Sequence, residues 1–295
     1  MRNYRAGSRF SAGISLSHYG DKTIEARPLK WKFLLADGRI AAAGETAVSI
    51  APGERKELLR CDFALPELSG AAQKAMLCCE LTETDGNVLE NSWDFWIFPA
   101  SGATPARECR EADHLDEALL EYLESGGRVL LTGGFPLPGT ETKFRMQTAG
   151  RSEGHCGIIV HDHPLWRNFP HEGFGDWQFF PLVHNAPSLD YPAQDEPEFV
   201  PLVELIPCYK LIVRRSMLSE FKVGAGRLMI CTLNIGTEDP AAKFLHGELL
   251  AYLGGELSPD APDWSPEDLR RIARAEAQGV TKAAGTDMAG EIVKP

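Results

Sequence analysis

From residue 10 to residue 99, apolar side chains recur at every second position in short runs separated by turn residues. Leu29, Trp31, Phe33 and Leu35 fall on one face of such a run, the period of a half-buried strand. The Asp37-Gly38 pair that follows predicts a hairpin turn, because glycine accepts the positive φ such turns need. Val48-Ser-Ile50 runs to the turn Ala51-Pro-Gly-Glu54, Cys61-Asp-Phe-Ala-Leu65 to Pro66, and Lys74–Thr82 to Asp85-Gly86. In Asn91-Ser-Trp-Asp-Phe-Trp-Ile-Phe-Pro99 the alternation sends Trp93, Phe95 and Ile97 to one face and Asp94, Trp96 and Phe98 to the other. Such a strand has both faces at least partly covered, and Pro99 ends it. About seven strands in roughly ninety residues predict an immunoglobulin-like β-sandwich over residues 1–100.

Past Ala100-Ser-Gly-Ala-Thr-Pro105 the period changes. Leu115, Ala118, Leu119, Tyr122 and Leu123 share one helical face, with Asp113 placed to cap its start and Gly126-Gly127 to stop it. Arg128-Val-Leu-Leu-Thr132 then reads as a buried strand. The same alternation returns with strands at Leu211-Ile-Val213 and Phe221-Lys-Val223, a turn at Gly224-Ala-Gly226, and a strand from Arg227 to Leu233. Pro240 opens a helix whose Phe244, Leu245, Leu249, Tyr252 and Leu253 share a face. This order predicts an α/β domain over residues 101–256, built on a mostly parallel sheet with helices on its faces. Between its two halves, residues 135–208 are rich in proline and read as loops. Residues 257–295 are expected to form a helix opened by Ser265-Pro-Glu-Asp-Leu269 and a frayed tail from Gln278.

Several of these stretches resemble one family. Asn91–Pro99 is similar to the Asn-Ser-Trp-Asp-Phe-Trp-hydrophobic-hydrophobic-Pro motif found downstream of the catalytic barrel in many bacterial glycoside hydrolase family 2 proteins, the β-galactosidase and β-glucuronidase group. Gly126-Gly-Arg-Val-Leu-Leu131, His163-Pro-Leu-Trp166, Asn168-Phe-Pro170, Asp176-Trp-Gln178 and Gly224-x-Gly226 resemble the glutamine-amidotransferase-like, flavodoxin-like domain at the C-terminal end of the same proteins. The resemblance covers about residues 10–256 and implies carbohydrate processing. It casts this chain as a non-catalytic accessory region, structural or sugar-binding, whose partner is a catalytic barrel domain or subunit.

Charge and composition narrow the remaining classes. A net charge of −12 and the lack of any Lys/Arg run argue against nucleic acid. No stretch of eighteen apolar residues exists to span a membrane. The first ten residues lack the apolar core of a secretion signal, which sets a cytoplasmic expectation. Seven cysteines without a Cys-x-x-Cys pair read as buried free thiols in a reducing compartment.

Four chemistries have candidate residues in the chain or place demands on it. Glycoside hydrolysis needs two carboxylates on the strands of a barrel of about 250 residues. Too little chain follows the sandwich to build one, so the chain alone is expected to be inactive. A nucleophilic thiol needs a strand-to-helix elbow of the Gly-x-Cys-x-Gly kind. Gly154-His-Cys-Gly157 is one residue short of it, which makes Cys156 the better fit to a structural thiol and an amidotransferase-like hydrolase the alternative. His161 and His163 alternate as metal ligands would on a strand, but match no metal motif. No phosphate-loop or dinucleotide fingerprint occurs, so no cofactor is implied. Trp166, Asp176, Trp177 and Gln178, with His163, have the composition of a sugar site. Aromatic faces stack on sugar C–H surfaces while carboxylates and carboxamides bond hydroxyls. Packing against the sheet explains the same aromatics, and a free-standing carbohydrate-binding protein is the remaining alternative.

Overall fold

The computed structural model describes residues 2–83, 85–100, 102–135, 137, 139–142, 157–191, 200–206, 215–255 and 258–277. The chain divides into two compact units, Met1–Ser101 and Gly102–Pro295. It is mostly β, with few helices, and no helix among the described residues is long and apolar enough to cross a membrane.

The first unit holds β1 (Asn3–Arg5), β2 (Arg9–Ser17), β3 (Ile24–Leu34), β4 (Ile40–Ile50), β5 (Arg55–Ala64), β6 (Gln73–Thr82) and β7 (Val88–Phe98). Five of them form one sheet in the order β1-β7-β6-β3-β4, and β2 pairs β5 in a second. The alternation of β3 and β7 is what joins the sheets: Phe33 and Phe95 point inward and meet Phe10 of β2 at centroid distances of 4.8 and 5.0 Å. Ring contacts of this kind contribute roughly 0.5–1.5 kcal/mol each beyond the area they bury. Ile97 lies in the same core and Trp93 packs at its margin. Trp96 and Phe98 are also buried, outside that core, as the opposite parity requires.

The second unit holds β8 (Arg110–Ala112), α1 (Glu117–Glu124), β9 (Arg128–Leu131), β10 (Gly139–Glu141), β11 (Gly157–Val160), a 3-10 turn (Pro164–Asn168), α2 (Phe180–Val183), β12 (Pro187–Asp190), β13 (Val203–Ile206), β14 (Arg215–Val223), β15 (Gly226–Cys231), α3 (Pro240–Gly254) and α4 (Pro266–Ala277). Its sheet runs β10-β12-β14-β15-β9-β8, with β13 joined to β14 and β11 to β13. Among its described strands, only β15, β9 and β8 run parallel to one another. The sheet is therefore mixed, which corrects the expected mostly parallel arrangement. The cause is local: Gly224, at φ +59°, closes a tight turn between β14 and β15. A connection that short can join only antiparallel neighbours, whereas parallel strands need a crossover of about a dozen residues. The expected strand at Leu211–Val213, the thiols Cys156 and Cys208, His155 and the tail from Gln278 lie outside the described residues.

Both faces of the central strands are covered. Leu119, Leu120 and Leu123 of α1 and Leu269 and Ile272 of α4 pack with Val129, Phe221, Leu228 and Ile230 on one face. Asp116, one turn later than the expected Asp113, caps α1 by accepting the Leu119 N–H at 2.8 Å. On the other face a row of cations, Lys222, Arg227 and Arg128, lies in register across β14, β15 and β9. They donate to the carbonyls of Pro259 (2.7 Å), Ser258 (2.9 Å) and Gly255 (2.7 Å), and Arg128 also to that of Leu253. Arg128 thus satisfies carbonyls at the end of α3, where a helix lacks its own donors and carries partial negative charge, and Arg227 and Lys222 hold the segment that follows.

Among the described cysteines, Cys61, Cys79 and Cys231 are buried and free, and Cys78 and Cys109 are half-buried. Burial pushes the Cys61 thiol up to about 11, and those of Cys79 and Cys231 up to about 12.

Candidate functional site

The aromatic-rich stretch is organised from the edge of β11. Val160 N–H donates to Gly173 O (3.0 Å) and Gly175 N–H to Ile158 O (2.9 Å), so residues 173–175 lie along that edge as an extra rung. A Cβ at Gly175 would sit 2.9 Å from the Ile158 Cβ, closer than side chains tolerate, and glycine is what permits the approach. Asp176 then turns the chain: its carbonyl accepts the Phe179 N–H at 2.9 Å and its Oδ1 accepts the Trp177 N–H at 2.7 Å. The turn runs into α2 and sorts the apolar residues. Phe179, Leu182 and Val183 go inward, while Phe174, Trp177 and Phe180 stay 47%, 57% and 41% exposed.

Trp177 and Phe180 are contiguous with His184. Trp177 and Phe180 lie 6.0 Å apart at 48°, and Phe180 stacks on the His184 imidazole at 4.9 Å and 17°. The support below them is dense. Trp166 is buried against Phe169 and Phe179 and donates its Nε1–H to His161 O at 3.0 Å. Gln178 is buried and donates to Pro170 O at 3.0 Å. Asn168 donates to Glu248 Oε2 at 2.9 Å, and Asn234 to His184 O at 2.9 Å and Pro181 O at 3.2 Å. A surface built on so many fixed points needs little ordering when a ligand arrives, which is where preorganised sites gain affinity.

A second constellation lies deeper. His163 caps the 3-10 turn, its Nδ1 accepting the Leu165 N–H at 3.3 Å. That acceptor role leaves the ring proton on Nε2, which lies 3.3 Å from Glu220 Oε2 and 3.3 Å from the Tyr252 hydroxyl. Tyr252 donates to the same Oε2 at 2.8 Å and accepts the Ser258 N–H at 2.9 Å. Arg227 Nη1 stands 3.9 Å from Glu220 Oε1, and neither of those two buried atoms makes a hydrogen bond. Burial, then the charge of Glu220, raises the Tyr252 phenol above its ordinary range, so it stays a donor. Four elements thus meet on one carboxylate, a geometry that fastens chain segments together.

Of the five residues read as a sugar site, the structure brings Asp176 and Trp177 to the surface side by side. Trp166, Gln178 and His163 lie beneath it and are used in holding the loop. His161 turns to Glu204 at 3.1 Å and His163 to Glu220, so the two imidazoles face different carboxylates. Among the described residues no group of three metal-ligating side chains converges. Glu220, Tyr252 and Arg227 were not singled out from sequence as a cluster. The available signal was Glu220 itself, a buried acid between Leu218 and Lys222 on one face of β14.

Comparison with known proteins places two families along the chain. That described as "Domain of unknown function (DUF8487)" matches residues 110–274, and that described as "Domain of unknown function (DUF8488)" matches residues 8–99. No curated protein matches. Among solved structures, a β-glucuronidase of Parabacteroides merdae is 13% identical over 42% of this chain and 19% of its own, with a TM-score of 0.25. A putative β-galactosidase from Bacteroides fragilis is 11% identical over 48% of this chain and 23% of its own, at 0.27. The sporulation control protein Spo0M of Bacillus subtilis is 11% identical over 70% of this chain and 74% of its own, at 0.25. The chain thus spans 19% and 23% of the length of the two enzymes.

Proposed function

The chain belongs to the family described as "Domain of unknown function (DUF8487)", and we propose that it is a non-catalytic, sugar-binding accessory region of a glycoside hydrolase family 2-like protein, acting in carbohydrate processing. In this reading residues 1–100 are an immunoglobulin-like sandwich, and 101–256 an α/β domain related to the amidotransferase-like domains of that family. Its partner is a catalytic barrel, as a further domain or a separate subunit.

The observation that carries the reading is the outward placement of Trp177 and Phe180, with Asp176 next in the chain and bonded to the Trp177 backbone N–H. Leaving large aromatics in water forgoes roughly 25 cal/mol for each Å² of apolar surface that stays wet. Contiguous exposed aromatics on a rigid loop therefore point to a ligand that covers them. A pyranose ring meets both requirements, with C–H groups for the indole face and hydroxyls for the carboxylate. The resemblance of His163–Trp166 and Asp176–Gln178 to family 2 motifs supports the carbohydrate class.

Titration of the intact chain with cellohexaose, xylohexaose, maltohexaose and β-1,4-galactohexaose, followed by tryptophan fluorescence, tests this. Binding to at least one that disappears in Trp177→Ala supports it. Unchanged binding in Trp177→Ala, or none to any glycan, rejects it.

A further inference from the structure

The charges around the exposed rings restrict what can stack there. Asp176 Oδ1 accepts the backbone N–H of Trp177 at 2.7 Å. The carboxylate is thus tied to the backbone from which the Trp177 side chain leaves. Over residues 161–184, which build the surface and its support, the acids are Asp162, Glu172 and Asp176, against the single cation Arg167. Burial holds His171 below the ordinary imidazole range, with the nearby Asp162 pulling the other way, so it adds no charge at neutral pH. His161 and His163 face Glu204 and Glu220. The chain as a whole carries −12, so the long-range field has the same sign.

We infer that the Trp177 surface takes an uncharged glycan and turns away chains bearing carboxylate or sulfate groups. The inference rests on the sugar-binding reading above and adds the chemical class of the ligand. Two contributions act in the same direction. A fixed carboxylate accepts hydrogen bonds from a pair of sugar hydroxyls, and charge-assisted bonds of this kind are roughly twice as strong as neutral ones. An anionic substituent offers no proton to that carboxylate and repels it through solvent, an effect that salt screens within about 10 Å at 0.1 M. Asp176 is then the specificity-determining residue and Trp177 the one that provides affinity.

The test uses the intact chain, the four neutral hexaoses named above, and hexagalacturonate and a sulfated galactan hexaose as anionic probes. Each is titrated calorimetrically at 20 mM and at 500 mM NaCl, with Asp176→Asn and Trp177→Ala in parallel. At 20 mM salt the best neutral hexaose is expected to bind about tenfold or more tightly than either anion. At 500 mM the gap should narrow, because only the anions lose a repulsion. Asp176→Asn keeps the turn's acceptor oxygen, and should weaken the neutral sugar while strengthening the anions at low salt. An anionic probe that binds as well as the neutral ones at 20 mM salt overturns the inference. If Trp177→Ala abolishes that binding, the sugar-binding reading survives it. Failure of every glycan to bind removes both.

Discussion

Removing the Glu220 carboxylate should be the most damaging single polar change in the second unit. Glu220→Ala leaves the His163 Nε2–H and the Tyr252 hydroxyl without the oxygen they share at 3.3 and 2.8 Å, and the Arg227 guanidinium without its counter-charge at 3.9 Å. All sit in the interior, where breaking a charged pair by deleting one partner costs roughly 3–5 kcal/mol. For a unit of this size that is a fall in melting temperature of roughly 6–20 °C. Glu220→Gln retains one acceptor oxygen for Tyr252 and should lose only about 1–2 kcal/mol. Tyr252→Phe removes one donor and, combined with Glu220→Ala, should cost less than the two single changes added, by about 1 kcal/mol or more, because both delete the same hydrogen bond. Urea denaturation followed by far-UV circular dichroism reads all four proteins. The reasoning fails if Glu220→Ala loses less than about 1 kcal/mol, or if the losses of the two single changes simply add. Should Glu220→Ala not fold at all, the ordering Tyr252→Phe below Glu220→Gln in cost still checks the shared-oxygen geometry.

Four further outcomes follow. The purified chain alone should hydrolyse no nitrophenyl galactoside or glucuronide, and turnover that survives repurification would contradict its accessory role. Iodoacetamide at pH 8 should leave Cys61, Cys79 and Cys231 unlabelled in the folded protein, because burial raises their thiols to about 11, 12 and 12 and only the thiolate reacts. Those raised values also mean stability is full below about 9, where an unfolded thiol ionises, and is lost as pH climbs toward 11–12; replacing Cys79 by Ala should flatten that loss in an alkaline denaturation series. Gly224→Val should destabilise the second unit by about 1–3 kcal/mol, since its φ of +59° suits glycine, and an unchanged urea midpoint would show that the hairpin tolerates a side chain there.

Much of this architecture was legible in the sequence, and the exceptions share a physical cause. The run of β3 from Leu29 alternates large apolar with polar residues, and the apolar run ending β7 is buried on both parities, so pattern and burial agree. Most of β4 escaped notice because Ile40-Ala-Ala-Ala-Gly-Glu-Thr-Ala47 offers no contrast in size between its two faces. The Gly224-Ala-Gly226 turn was seen, yet its consequence for strand direction depends on β14 and β15 pairing directly, which hydropathy does not encode. At the site, composition pointed to Trp166, Asp176, Trp177 and Gln178 alike. Only the pairing of Gly173–Gly175 onto β11 separates the exposed Trp177 from the buried Trp166 and Gln178. The Glu220 cluster was beyond reach for another reason: Tyr252 stands 32 positions from Glu220 along the chain, and only the fold brings them together.

The sugar-binding reading meets its most direct test in fluorine NMR of the intact chain labelled with 5-fluorotryptophan. Its six tryptophans give six lines, assigned by single Trp→Phe variants. Titration with the neutral hexaoses should shift the Trp177 line alone, because Trp96, Trp166 and Trp264 are buried and Trp31 and Trp93 pack at the sandwich core. A Trp177 line that stays fixed while any of these glycans demonstrably binds, or while none does, would contradict the account.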